Sequence, residues 1–275
     1  MQQHQVPSVL KKIVDTKYQE LEHAKKQQSF YDLEQTALSK KDDIRDFAGN
    51  LREKGIRPSQ IKIIAEVKKA SPSKGIIAPN FDPISTAQGY EQAGAACLSV
   101  LTDKDYFQGA DDYLVAVRQA VSLPVLRKDF MVEPYHIMQS RALGADCILL
   151  IMACLSDSQV GEMHELALQL GMSVLIECHD ETEVERALRL PQHPQNVFGI
   201  NNRNLNNFDV SLDTTLRLKS LFAKDSLLVT ESGIHSAADV KLMLEHDIYA
   251  FLIGEQFMKT GNAGQALAKL LSMSQ

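Results

Sequence analysis

The sequence predicts an α/β protein, a (β/α)8 TIM barrel with an N-terminal helical extension. Three observations carry that prediction. From residue 61 onward, eight short apolar runs alternate with polar turns and segments of helical period. The charged and polar residues of those runs gather at their C-terminal ends, where this architecture keeps its functional side chains. No glycine-rich turn follows the first run, as it more often does in an open doubly wound sheet, the structural alternative.

The elements follow in order. "VLKKIVDTKYQELEHAKKQQ" places Leu10, Ile13, Val14, Tyr18 and Leu21 at helical spacing and reads as an amphipathic helix. "DIRDFAGNLREKG" reads as a second, shorter helix closed by Gly55. The strand runs are "KIIAEVK", "ACLSVLT", "LPVLRK", "DCILLIMA", "MSVLIEC", "VFGINN", "LLVTES" and "AFLIGE". Between them lie helical segments such as "DPISTAQGYEQAG", "EPYHIMQSRALG", "SDSQVGEMHELALQLG" and "SAADVKLMLEHD". Their ends carry capping chemistry: Asp82 before a first-turn Pro83, Ser236-x-x-Asp239 as a capping box, and Gly94, Gly144 and Gly171 at C-caps. The 275 residues are read as one barrel domain, 1–275, of which 1–60 form the helical extension.

Composition removes several function classes. A net charge of −6 with interspersed signs argues against a general nucleic-acid or anionic-membrane surface and leaves room for a local basic pocket. "MQQHQVPSVLKK" lacks the apolar core of a signal peptide, and "CILLIMACL" is too short to cross a bilayer, so the expected location is cytoplasmic. Cys97, Cys147, Cys154 and Cys178 show no C-x-x-C spacing and read as reduced thiols, three of them within strand runs. The histidines form no H-E-x-x-H pair, and "DKDYFQGADD" fails the calcium-loop pattern, so no metal is expected there. That segment reads as a solvated loop entering a helix. No P-loop or G-x-G-x-x-G speaks for a nucleotide cofactor.

The polar strand ends are the candidate site. Glu66 and Lys68 end the first run, Lys128 and Asp129 the third, and Glu177 the fifth. Asn201 and Arg203 follow the sixth, and Glu231 and Ser232 end the seventh. Taken singly, each could be an exposed strand-end charge or a loop salt bridge. Their convergence on one end is what favours function, since none of the runs opens with such a cluster. Gly233 and Gly254 sit in turns after strands seven and eight, the frequent phosphate site of this architecture, although turn geometry alone would also use glycine there. "SPSKG" reads as a mobile loop with Lys74 sweeping over a ligand.

"IIAEVKKASPSKG", "FDPISTAQGYEQAGAACLSVLTD", "PVLRKDF", "GINNRNL", "ESGI" and "FLIGEQFM", in this order, resemble the indole-3-glycerol phosphate synthase family. The resemblance runs from about residue 5 to the C-terminus and includes the helical N-terminal extension. It implies a barrel enzyme of tryptophan biosynthesis, a carboxy-lyase acting on 1-(2-carboxyphenylamino)-1-deoxyribulose 5-phosphate without metal or organic cofactor. The expected partner is a small anionic sugar phosphate, with no nucleic acid and no membrane on the grounds of charge and hydropathy; a monomer is compatible with the sequence, which leaves the oligomeric state open. By motif, Lys128 matches the general acid of ring closure and Glu177 the general base of dehydration. Lys68 matches a lysine that contacts the substrate and in some mechanisms is the acid of dehydration. Glu66 matches the carboxylate supporting the lysines, and Asn201 a side chain near the substrate hydroxyls. Ser71, Arg203, Glu231, Ser232, Gly233 and Gly254 fall on the substrate and phosphate loops. Departures are Cys178 where valine is common, "YFQGADDY" after strand two, and Glu255 where some members have serine.

Two other functions use the same residues. A Schiff-base aldolase would make Lys128 or Lys68 a nucleophile. A non-catalytic sugar-phosphate sensor would need only the cations and amides.

Overall fold

The computed structural model describes residues 7–52, 61–205 and 207–273. Eight parallel strands close into a barrel: β1 (Lys62–Val67), β2 (Cys97–Leu101), β3 (Val125–Lys128), β4 (Cys147–Ile151), β5 (Ser173–Cys178), β6 (Asn196–Asn201), β7 (Leu228–Glu231) and β8 (Ala250–Ile253). Each strand pairs with its sequence neighbours, and β8 closes on β1 with Ala65 opposite Ile253. All eight strands coincide with the apolar runs, and closure excludes the open sheet.

Strand alternation sorts the side chains. Ile63, Ala65 and Val67 of β1 pack outward with the surrounding helices, while Ile64 joins Leu126, Leu149, Leu175, Val197, Val229 and Leu252 inside the barrel. Two residues further along, the same inward face carries Glu66, Lys128, Glu177 and Glu231, with Asn201 four residues beyond Val197. The charged layer therefore stands on an apolar floor.

The helix expected over residues 9–28 is present as Ser8–Gln27, burying Leu10, Ile13 and Leu21. A helix at Phe30–Ser39 has no counterpart in the sequence reading. Only Leu33 and Ala37 bury fully, and the exposed Phe30 and Tyr31 blur its apolar stripe. The second expected helix is shorter than read, Phe47–Leu51, with Asp46 as its cap; Gly55, expected to close it, lies outside the described residues. Phe47, Ala48 and Leu51 plug the N-terminal end of the barrel interior.

The caps form as read. Asp82 accepts from the Ile84 and Ser85 amides, and Ser236 and Asp239 complete their capping box. Gly94, Gly144 and Gly171 all adopt positive φ at helix ends. The four cysteines are free thiols, three of them buried. No described helix is long and apolar enough to cross a membrane.

Two expectations need correction. "DKDYFQGADD" does lead into a helix, Asp111–Ala120, but it is not simply solvated. Asp103 is fully buried, accepts from the Tyr106 and Phe107 amides, and pairs with Lys17 of the N-terminal helix at 2.8 Å. Nor is the opposite end of the barrel free of charge clusters. Asp146, just before β4, is fully buried among Arg118 at 3.1 Å, Arg141 at 3.8 Å and the backbone amides of Arg45 and Val125. These compensate a charge that burial would otherwise forbid, a stability role on the face away from the mouth.

Candidate active site

The strand ends converge on one cavity at the C-terminal mouth. Glu66, Lys68, Ser71, Lys128, Glu177, Asn201, Arg203, Glu231, Ser232, Gly233 and Gly254 all line it, so every site residue expected from the sequence is brought together. Pro72 and Ser73 of the β1 loop reach its rim, where a short hairpin pairs Ala70–Ser71 with Gly75–Ile76; Lys74 is exposed and does not line the cavity.

Lys128 is the centre. Its Nζ lies 3.4 Å from Glu177 Oε2. Burial alone would favour the neutral amine, but the neighbouring carboxylates, Glu177 first and Glu66 with it, outweigh it and hold the ammonium form well above its ordinary range. Lys68 is ion-paired to Glu66 at the end of β1. Glu177 is driven down despite burial, first by Lys128, then by His179 and a hydrogen bond from Asn201. Glu231 goes the other way: burial, then the neighbouring Glu177 charge, push it far up. Two adjacent carboxylates with opposite shifts divide into one ionised group and one protonated group.

Room for these carboxylates comes from glycine. A Cβ at Gly199 would run into the Glu231 carboxylate, and one at Gly254 into Glu66. The β7 loop stores strain: Ser232 has φ 64° and Gly233 φ 85°. Asn202 Nδ2 donates to Thr230 Oγ1 at 2.8 Å and to the Glu231 and Ser232 carbonyls at 3.1 Å, fixing that turn. Arg203 stands at the rim, 3.8 Å from Glu255, with its own amide donating to Asn201 Oδ1.

Some contributors were not visible in the sequence. Val9, Leu10 and Ile13 of the N-terminal helix, with Phe107, Phe130 and Phe208, give the cavity apolar walls. The signal for the helix was there, but not where its apolar face would dock. The Ser71 hydroxyl, Glu231 Oε1 and Gln256 Oε1 are buried along the cavity without hydrogen-bond partners, leaving polar capacity for a ligand. His179, two residues beyond Glu177, carries no sequence signal of its own, since the histidines form no paired motif. Burial would lower its pKa, yet Glu177 and Glu183 carry it up to about 10. The described residues hold no His/Cys/Asp/Glu group suited to a metal ion.

A family model described as indole-3-glycerol phosphate synthase matches residues 10–270. The chain belongs to the indole-3-glycerol phosphate synthase family. Proteins of that name from Acinetobacter baylyi and Delftia acidovorans are similar to it throughout. The first is 54% identical over 266 residues, covering 97% of this chain and 96% of its own length. The second is 52% identical over 269 residues, covering 96% and 99%. Among solved structures, a KGPDC from Streptococcus mutans aligns with TM-score 0.59 at 11% identity, over 78% of this chain and 98% of its own. That likeness supports the barrel alone. For an indole-3-glycerol phosphate synthase family member, the match from residue 10 takes in the N-terminal helix whose apolar residues roof the mouth.

Proposed function

We propose that the chain converts 1-(2-carboxyphenylamino)-1-deoxyribulose 5-phosphate to indole-3-glycerol phosphate, with the mouth residues in the following roles. The observation that carries this reading is a half-buried ammonium, Lys128, held charged by the Glu177 and Glu66 carboxylates at a cavity with apolar walls. The carboxyphenyl ring packs against Phe107, Phe130 and the N-terminal helix. Ser232, Gly233 and Gly254 take the phosphate, with Arg203 adding positive charge and Ser71 a free hydroxyl. Lys68, paired with Glu66, meets the substrate carboxylate.

Ring closure joins the carboxyl-bearing aromatic carbon to the ketone carbon. The carbonyl electrons move to oxygen, which takes a proton from Lys128. Loss of carbon dioxide restores the aromatic ring. In dehydration, Glu177 removes a proton while the new hydroxyl leaves as water, protonated by Lys68, the ammonium that ring closure does not consume. Asn201 orients Glu177 and the substrate hydroxyls. An ammonium held by carboxylates is a poor amine nucleophile, which disfavours the aldolase reading. The cytoplasm is the setting we assign, in keeping with a biosynthetic enzyme family acting on a phosphorylated substrate.

The test is incubation with the carboxyphenylamino sugar phosphate while following indole fluorescence. Product emission with release of carbon dioxide is the expected result. A borohydride-trapped covalent adduct without indole product would favour the aldolase, and tight binding without turnover the sensor.

A further inference from the structure

The end of β5 reads Glu177-Cys178-His179-Asp180 and runs straight into the helix Glu181–Ala187. Alternation turns Glu177 inward and Cys178 outward into the helical layer. His179 then sits beyond the strand end, beside the mouth, and is held from both sides. Its Nδ1 lies 3.0 Å from Glu183 Oε2, and its backbone N–H donates to the same oxygen at 2.8 Å. Its Nε2 lies 3.3 Å from Glu177 Oε1. That second contact falls outside hydrogen-bond alignment, so it acts chiefly as charge on charge. Glu183 is itself buried, and its backbone N–H donates to the capping Asp180 Oδ1 at 2.9 Å. Two carboxylates therefore clamp one ring, and the ring contacts the Glu177 oxygen that Lys128 does not.

The sequence of proton transfers makes this second cation consequential. Lys128 keeps Glu177 ionised only while it remains an ammonium. Once Lys128 has given its proton to the ketone oxygen, Glu177 loses that partner before it must act as a base. Glu231, the other neighbour, offers no positive charge. A cation that is not consumed in ring closure is needed at the free oxygen of Glu177.

We propose that His179 is a positioning residue for Glu177: clamped by Glu183, its imidazolium fixes one carboxylate oxygen and keeps Glu177 ionised through ring closure, ready for dehydration. No proton passes through His179; Glu177 takes up the substrate proton, and the imidazolium keeps its own. The raised pKa of the ring agrees with the charge that this role requires. Its other charged surroundings are Asp180 on the same turn and, across a second cavity that His179 lines, Arg203, Asp209 and Arg217, the last paired with Glu181. This inference rests on the reading of Glu177 as the dehydration base.

The test compares His179→Gln, Glu183→Gln and Glu177→Gln in the full chain, by steady-state kinetics across pH and by quenched single-turnover reactions. For His179→Gln we expect kcat to fall ~10-fold or more with KM within about threefold, and the acidic limb of kcat to move up by about one pH unit. The ring-closed intermediate that still carries its hydroxyl should accumulate. Glu183→Gln should shift the same limb in the same direction by less. A wild-type acidic limb and no intermediate in His179→Gln, alongside an impaired Glu177→Gln, would overturn the role of His179 alone. Wild-type turnover in Glu177→Gln would instead remove the underlying reading and this inference with it. Should His179→Gln fail to fold, nitrogen NMR titration of the wild-type ring decides: a midpoint above about 8 supports the role, and one near 6.5 overturns it.

Discussion

Gly199 and Glu231 share one space inside the barrel: a side chain on the glycine would occupy the position of the carboxylate. Gly199 faces Val229 across β6 and β7, and Glu231 stands one pleat further along the same inward face. The backbone of Gly199 is not in the left-handed region, so room rather than conformation forbids a side chain there. Gly199→Ala should destabilise by ~1–3 kcal/mol through overpacking and should lower activity by displacing Glu231. In a double-mutant cycle with Glu231→Ala, the two losses should fall well short of additive. Additive losses in denaturant titrations would mean the pair does not compete for space.

Lys128→Ala should lower kcat by ~10²–10⁴-fold, the usual share of general acid catalysis. Lys128→Arg should not restore it, because a guanidinium does not give up its proton. Steady-state turnover measures both. A near-normal rate for either variant rules out proton donation by Lys128.

Glu231 should behave unlike its neighbour. Burial and the Glu177 charge hold it protonated, so a neutral amide of the same shape reproduces its working form. Glu231→Gln should cost less than about tenfold in kcat, while Glu177→Gln should cost ~10²-fold or more. Equal losses would show that Glu231 works as a carboxylate.

Arg203 stands at the rim, partly exposed and loosely paired with Glu255, away from the Lys128–Glu177 contact. Arg203→Ala should therefore raise KM by roughly tenfold with a smaller change in kcat, the pattern of lost uniform binding. A drop confined to kcat would place the arginine in the chemical steps instead.

Lys17 bridges Asp103 at 2.8 Å and Asp129 at 3.0 Å, tying the N-terminal helix to the residue after Lys128. Burial would raise the Asp129 pKa, but Lys17 and Arg127 bring it from 3.8 down to about 2. A lowered carboxylate pKa stabilises the fold above its unfolded value and loses that contribution as pH falls through the folded one. Roughly 2–3 kcal/mol should thus be present above pH ~4 and disappear toward pH ~2. Lys17→Met should cost about 3 kcal/mol at neutral pH, since it leaves Asp103 and Asp129 buried without their shared cation. It should also move the acid loss to higher pH. Urea titrations at pH 7, 4 and 3 would refute this if wild type and variant lost stability in parallel.

Much of the barrel was legible because its signals are local. A strand shows itself by an apolar run, a helix by its period and caps, and the mouth by which end of a run turns polar. Phe30–Ser39 escaped because its buried stripe is narrow. His179 and Asp146 escaped for another reason: an isolated histidine or a turn aspartate looks ordinary until its partners are seen.

The sequence by itself determined the eight strand–helix units, several of their caps, and the polar strand-end residues that converge on the mouth. Only the tertiary structure decided which charge stands beside which: Lys128 against Glu177, His179 between Glu177 and Glu183, Lys17 over Asp129, and glycine across from Glu231 and Glu66. Electrostatic and steric energies depend on separation in space and on exclusion of water. Neither quantity follows from distance along a chain.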